Sequence, residues 1–204
     1  MKTTFFDDKV DFFWAMEEES PFGALLDEVV AWAGLRPGTR VVDLGAGPGG
    51  LLRRLPHMDT VAVDFSLPMA ERAQSFGHVA VQADAQEVPL RDASFGAAFA
   101  TNLLHLVPRP EAVIAEAHRV LEPGAPFLAI VPGPAMTEES LVRWLTAHHG
   151  GRIAEMLGGW GRSADAHRRF DPKGMEAMLR AAGFRTAETR LRWDDHALLA
   201  KAAK

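Results

Sequence analysis

A β-branched run, an acid and a glycine-rich turn follow one another in Val41-Val42-Asp43-Leu44-Gly45-Ala46-Gly47-Pro48-Gly49-Gly50. Glycines 45, 47 and 50 form a G-x-G-x-x-G pattern. It lets a chain turn sharply from strand to helix and brings backbone within reach of a ligand where any Cβ would intrude. Such a turn serves a nucleoside-bearing cofactor, and Asp43 qualifies which kind. A turn that meets a pyrophosphate needs its helix N-terminus free, and a carboxylate beside it would repel that group. The same carboxylate suits a ligand with a cationic end. Asp64 closes the apolar run Val61-Ala62-Val63, 19 residues after Gly45, where a carboxylate can accept both hydroxyls of a ribose. The plainer alternatives are a loop hydrogen bond or cap for Asp43 and a cap for the following helix for Asp64.

Further signals recur in order: Gln82-Ala83-Asp84-Ala85, then Ser94 to His105 with the run Phe95-Gly96-Ala97-Ala98-Phe99-Ala100-Thr101-Asn102, then His118-Arg119-Val120-Leu121-Glu122-Pro123-Gly124-Ala125. In that register the chain resembles the class I S-adenosylmethionine-dependent methyltransferases. Within them it is similar to the group, methyltransferase type 11, that includes the ubiquinone and menaquinone biosynthesis methyltransferases. The resemblance covers roughly Arg36 to Pro132 and, more loosely, Phe170 onward.

It implies S-adenosyl-L-methionine as cofactor, S-adenosyl-L-homocysteine as product and a small-molecule methyl acceptor. By the same resemblance Gly45, Ala46 and Gly47 approach the amino-acid part of the cofactor and Asp43 holds its cationic end. Asp64 takes the ribose, Asp84 and Ala85 the adenine, and Thr101 and Asn102 lie beside the reacting methyl. Phe65 and Met69 pack on the adenine faces, or are ordinary core. Pro48, where some relatives carry a small polar residue, is tolerable at a helix start.

Methyl transfer from a sulfonium is an in-line displacement, so the protein mainly supplies alignment and a dry cavity. A general base is needed only when the nucleophile must lose a proton. His105 is the candidate base or acceptor contact, with a satisfied structural histidine as the equal alternative. Trp144, His148, His149, Trp160 and His167, with Phe12, Phe13 and Trp14 near the N-terminus, are expected to cover the pocket and choose the acceptor, although each has simple packing as its alternative. No metal is expected, since the adjacent histidines 148 and 149 point apart on a helix and no thiol accompanies them.

The elements that must position these residues follow from periodicity. Phe22, Leu25, Leu26, Val29 and Val30 keep a helical period between Ser20-Pro21 and Gly34. Strands are predicted at 40–44, 60–64, 78–82, 95–101 and 127–131, with helices from about Gly49, from Ser66 to about Ser75 and from Pro110 to Leu121. This alternation predicts an α/β, Rossmann-like, doubly wound parallel sheet. Pro132-Gly133-Pro134 then opens about 35 irregular residues, read as an insertion over the ligand face. A helix from Asp171-Pro172 to Gly183 and a C-terminal antiparallel hairpin of 184–192 and 196–200 close the chain, the last piece being ambiguous with helix. The 204 residues are read as a single domain: cap helices 1–34, cofactor core 35–133, insertion or lid 134–170, and closing helix and hairpin 171–204.

Composition removes several classes. With no cysteine there is no disulfide or thiolate chemistry, which fits a cytoplasmic protein. With no tyrosine the Tyr/Lys pair of many short-chain dehydrogenases is gone. No apolar run approaches the roughly 20 residues of a membrane span, and no leader pattern opens the chain. A net charge of −5 argues against nucleic-acid binding. Two alternatives to a methyltransferase stand: a non-catalytic S-adenosylmethionine-binding regulator, and an NAD-dependent oxidoreductase. Oligomeric state is open.

Overall fold

Each strand that carries a site residue is a short apolar run cut off by a turn. The computed structural model describes residues 4–204, so the first three residues of the cap segment lie outside it. The chain runs α1 (Thr4–Asp7), α2 (Val10–Glu18), α3 (Phe22–Ala33), β1 (Arg40–Leu44), α4 (Gly50–Arg53), β2 (Asp59–Asp64), α5 (Leu67–Ser75) and β3 (Val79–Gln82). It continues through β4 (Ala97–Thr101), α6 (Pro110–Val120), β5 (Pro126–Pro132), α7 (Glu138–His149), α8 (Gly151–Ala166), α9 (Pro172–Ala181), β6 (Thr186–Arg192) and β7 (Ala197–Ala203).

The described strands form one sheet in the order β3-β2-β1-β4-β5-β7-β6. The first five are parallel, and β7 lies antiparallel between β5 and β6. Strand order reverses between β1 and β4, which places the ligand crevice at their carboxyl ends. The Ala-Leu segment that sequence left ambiguous is strand because it is interior, pairing Ala197–Ala203 with β5 on one edge and β6 on the other. An antiparallel strand at this place is not the all-parallel sheet of a standard dehydrogenase.

Alternation along β1 sends Val42 and Leu44 to one face, with α6 and α9, and Val41 to the other, with α3 and α8. Asp43 shares the face of Val41, which is also the side of the cap helices. Caps set the helix ends: Gly34, left-handed at φ 66°, stops α3, and Asp171 accepts the Gly174 N–H at 3.0 Å to start α9.

Residues 134–170, expected to be irregular, hold two packed helices, α7 and α8. Helix α7 opens on a capping box between Thr137 and Ser140. The helix after the glycine turn is a single turn, and β4 starts at Ala97, Phe95 making only an isolated bridge to Leu121. Among the described residues no helix is long and apolar enough to cross a membrane.

Candidate functional site

Two adjoining cavities open at the carboxyl ends of β1, β2 and β4. The first, about 270 Å³, is lined by Gly45, Gly47, Asp64, Phe65, Met69, Asp84, Ala85, Thr101 and Asn102 of the expected set. Phe6, Phe13, Met16 and Glu17 close it from the cap. Its lining includes three carboxylates, Glu17, Asp64 and Asp84, and among the described residues no Lys, Arg or His.

The turn is built from backbone that needs glycine. Gly45 and Gly47 sit at φ 73° and 54°, and a Cβ on Gly45 would meet the Leu103 side chain at 2.8 Å. The amides of Gly45 and Ala46 both donate to Val63 O, at 2.8 and 3.0 Å, which ties the turn to the end of β2. Asp64 accepts the Gly47 N–H at 2.8 Å on one oxygen and the Ser66 N–H at 2.9 Å on the other. Burial raises its pKa, and these bonds oppose the rise. Asp84 is held from the outer side by Gln86, whose amide Nε2 reaches both carboxylate oxygens at 3.1 and 3.0 Å.

Two expected contacts lie elsewhere. Ala46 is 3% exposed and joins the apolar core rather than the cavity wall, because its amide is spent on Val63 and its methyl turns inward. Asp43 is fully buried behind the turn, and neither of its oxygens has a hydrogen-bond partner. Burial, and then the charge of Asp64, push its pKa up to about 8.

The second cavity, about 390 Å³, is lined by Phe5, Phe12, Lys9, His105, Trp160 and Arg162 among others, and shares Phe6, Phe13, Met16, Asn102 and Leu106 with the first. Asn102 therefore stands at the junction. Its φ of 59° is a left-handed conformation, which asparagine adopts more readily than other non-glycine residues. His105 is 2% exposed, and burial, then His167 and Arg168, hold its pKa down to about 3.

Five residues expected over the pocket, Trp14, Trp144, His148, His149 and His167, line neither cavity. Trp14 stacks on Phe76 at 4.7 Å, with the Arg53 guanidinium over its ring at 4.7 Å, so it braces α2 against α5. Trp144 stacks on His148 at 4.5 Å and on Trp193 at 5.4 Å, and its indole N–H donates to Asp194 at 3.0 Å. His148 is exposed at the end of α7. Trp160 does face the second cavity, edge-on to Phe22 at 5.2 Å. Sequence reasoning missed Glu17 altogether. The Glu17-Glu18-Glu19 run reads as a solvated face, and only the period of the apolar residues before it, Phe13 and Met16, signals that Glu17 turns inward.

A family model described as methyltransferase domain matches residues 42–129. The ubiquinone/menaquinone biosynthesis C-methyltransferase UbiE of Rubrivivax gelatinosus is 30% identical over 184 residues, 81% of this chain and 69% of that protein. The malonyl-[acyl-carrier protein] O-methyltransferase of Geobacter sulfurreducens is 30% identical over 164 residues, 76% of this chain and 58% of that protein. Phosphoethanolamine N-methyltransferase 2 of Haemonchus contortus, solved with phosphomonomethylethanolamine and S-adenosylhomocysteine, shares the fold with a TM-score of 0.73. The match has 16% identity and covers 97% of this chain and 57% of that one.

Proposed function

This chain belongs to the S-adenosylmethionine-dependent methyltransferases, and from that premise we propose that the first cavity binds S-adenosylmethionine and the second a small-molecule methyl acceptor. What supports this reading best is the junction, where Asn102, Phe6, Phe13, Met16 and Leu106 wall both cavities at once. A donor and an acceptor held on either side of one residue are held for direct transfer. The acceptors named for the two relatives, a quinone precursor methylated on carbon and a malonyl thioester methylated on oxygen, differ too much to fix the acceptor of this chain.

The cavity fits the cofactor. Asp43 stands behind the turn with two buried oxygens without partners among the described residues, and Glu17, Asp64 and Asp84 line the cavity, so that positive charge on a sulfonium and an ammonium is favoured there. When bound, S-adenosylmethionine supplies an electrophilic methyl on a positively charged sulfur. Each Asp64 oxygen accepts one backbone N–H and keeps capacity for one ribose hydroxyl. Asp84 accepts from the adenine amine, Ala85 borders the ring, and Phe65 and Met69 pack on its faces. Thr101 and Asn102 border the methyl at the end of β4. Phe6, Phe13, Leu103 and Leu106 exclude water from the transfer path, which shortens the search for the in-line geometry.

His105 lines the acceptor cavity, and with its pKa near 3 it is uncharged at neutral pH and a poor proton acceptor. It serves as a hydrogen-bonding contact, which suits a nucleophile that arrives without a proton to lose. Residues 4–34 and 134–170 furnish most of the acceptor walls, with Asn102, His105 and Leu106, while 35–133 hold the cofactor site and 171–204 the sheet edge.

Calorimetric titration with S-adenosylmethionine, S-adenosylhomocysteine and NADH, side by side, tests the cofactor. We expect the first two to bind and the third not to; binding of NADH alone would overturn the reading.

A further inference from the structure

Glu17 sits near the end of α2, yet its carboxylate reaches the glycine turn of the sheet. It is 8% exposed and lines the first cavity. Its Oε2 accepts the Gly50 N–H at 2.9 Å, and its Oε1 lies 3.5 Å from where a Cβ on Gly47 would stand. A Cβ on Gly50 would come within 2.3 Å of Glu17 Oε2 and 2.8 Å of its Cβ. The third glycine of the G-x-G-x-x-G pattern is thus accounted for by Glu17 and not by a ligand.

Among the described residues the carboxylate has no ion pair. Arg54, the nearest cation, donates Nη2 to the Glu17 carbonyl at 3.0 Å, Nη1 to Glu18 and to Gly50 O at 2.8 Å each, and Nε to Asp27 at 2.8 Å. It grips the backbone of α2 and leaves the Glu17 head group alone. Behind the turn stands Asp43, wholly buried with both oxygens unpartnered. Burial, and then Asp43, raise the pKa of Glu17 well above the ordinary carboxylate range. A fold that buries two such acids beside a cavity, with no cation among the described residues lining it, bears a desolvation cost that an arriving cation would offset.

Resting on the reading that this cavity binds S-adenosylmethionine, we propose that Glu17 is the residue through which the cap helix recognises the cofactor's positive charge. The site then holds the sulfonium cofactor in preference to the uncharged thioether product. The cofactor carries one more positive charge than S-adenosylhomocysteine and is otherwise the same in shape save for the methyl. A carboxylate in the wall of the same cavity therefore separates the two by charge, and favours release of product after transfer. Because Glu17 rides on the same helix as Phe13 and Met16, which wall both cavities, the same contact ties cofactor charge to the seating of the acceptor wall.

Glu17→Gln separates charge from bracing, since the amide oxygen still accepts from Gly50. Dissociation constants for S-adenosylmethionine and S-adenosylhomocysteine are measured in both proteins. In the variant the cofactor should weaken about tenfold and the product should stay within about twofold. Equal weakening of both, or of neither, would reduce Glu17 to a structural brace and overturn the inference. Sinefungin, with an ammonium in place of the sulfonium, tests the same point in the unaltered protein and should bind more tightly than S-adenosylhomocysteine. If it does not, the inference fails whatever the variant does. Absence of binding by all three ligands would remove the cofactor reading itself, and this inference with it.

Discussion

At the scale of single residues, the site separates groups that hold the fold from groups that hold a ligand by what their hydrogen-bonding capacity is spent on. Asp64 spends half on Gly47 and Ser66, and the remaining half is open for the ribose that we propose it holds. Asp64→Ala should therefore weaken S-adenosylmethionine binding by about 1–3 kcal/mol, from two hydroxyls left without an acceptor. Calorimetry on a variant whose circular dichroism matches the parent is the check, and unchanged affinity would remove the ribose assignment. Asp43 spends nothing. It was legible in the sequence as a carboxylate that wants a cation, but not as one set behind the turn instead of in the cavity wall, because a motif gives spacing and not the face on which a β1 side chain falls. Glu17 is hard to see for the opposite reason: its partner Gly50 is 33 residues away, and only the period of Phe13 and Met16 sets it apart from the two exposed acids that follow it.

At the scale of elements, legibility followed how local the cause of each structure is. The helix Phe22–Ala33 and the strand Arg40–Leu44 have the bounds read from sequence, since a glycine cap and an uninterrupted β-branched run act within a few residues. The region 134–170 reads as irregular because Pro132-Gly133-Pro134 breaks the strand-helix rhythm and the segment is rich in glycine, among them Gly151, Gly158, Gly159 and Gly161 of α8, each of which lowers helix propensity by about 1 kcal/mol. Tertiary packing reverses that preference. A Cβ on Gly161 would lie 2.7 Å from Glu138 Cα and Thr137 O, and one on Gly158 3.0 Å from a Val142 methyl, so the glycines are the surface on which α7 rests. Gly161→Ala gains helix propensity yet should destabilise the protein by about 1–3 kcal/mol, because the added methyl meets backbone that cannot move aside. Urea denaturation reads the sign directly. A stabilised variant would mean that α7 and α8 are not packed as closely as described.

At the scale of the whole molecule, Asp43 and His105, two of the deeply buried titratable groups, pull the pH dependence of stability in opposite directions. Asp43 is raised to about 8 in the fold, from a carboxylate value near 3.9 in the open chain. Its contribution is therefore complete below the unfolded value and is lost as pH rises through the folded one. His105 is depressed to about 3 from near 6.5, so its contribution is present above the unfolded value and is lost as pH falls. Between about pH 4 and 6.5 the two slopes oppose each other. Above that the acid slope remains, at about 1.4 kcal/mol per pH unit for Asp43, and Glu17 and Asp64, also raised, act in the same sense. The ligand-free protein should thus lose about 2 kcal/mol or more between pH 6.5 and 8. Asp43→Asn should flatten much of that fall, and urea melts of both proteins at the two pH values give the comparison. A cation in the cavity across the turn from Asp43 lowers its pKa and reduces the penalty. S-adenosylmethionine should then stabilise the protein more at pH 8 than at pH 6.5, while S-adenosylhomocysteine, without the sulfonium, shows a smaller difference. Equal slopes in the parent and the Asp43→Asn protein would mean that the acid is not titrating inside the fold, and the electrostatic account of the cofactor cavity would lose its buried half.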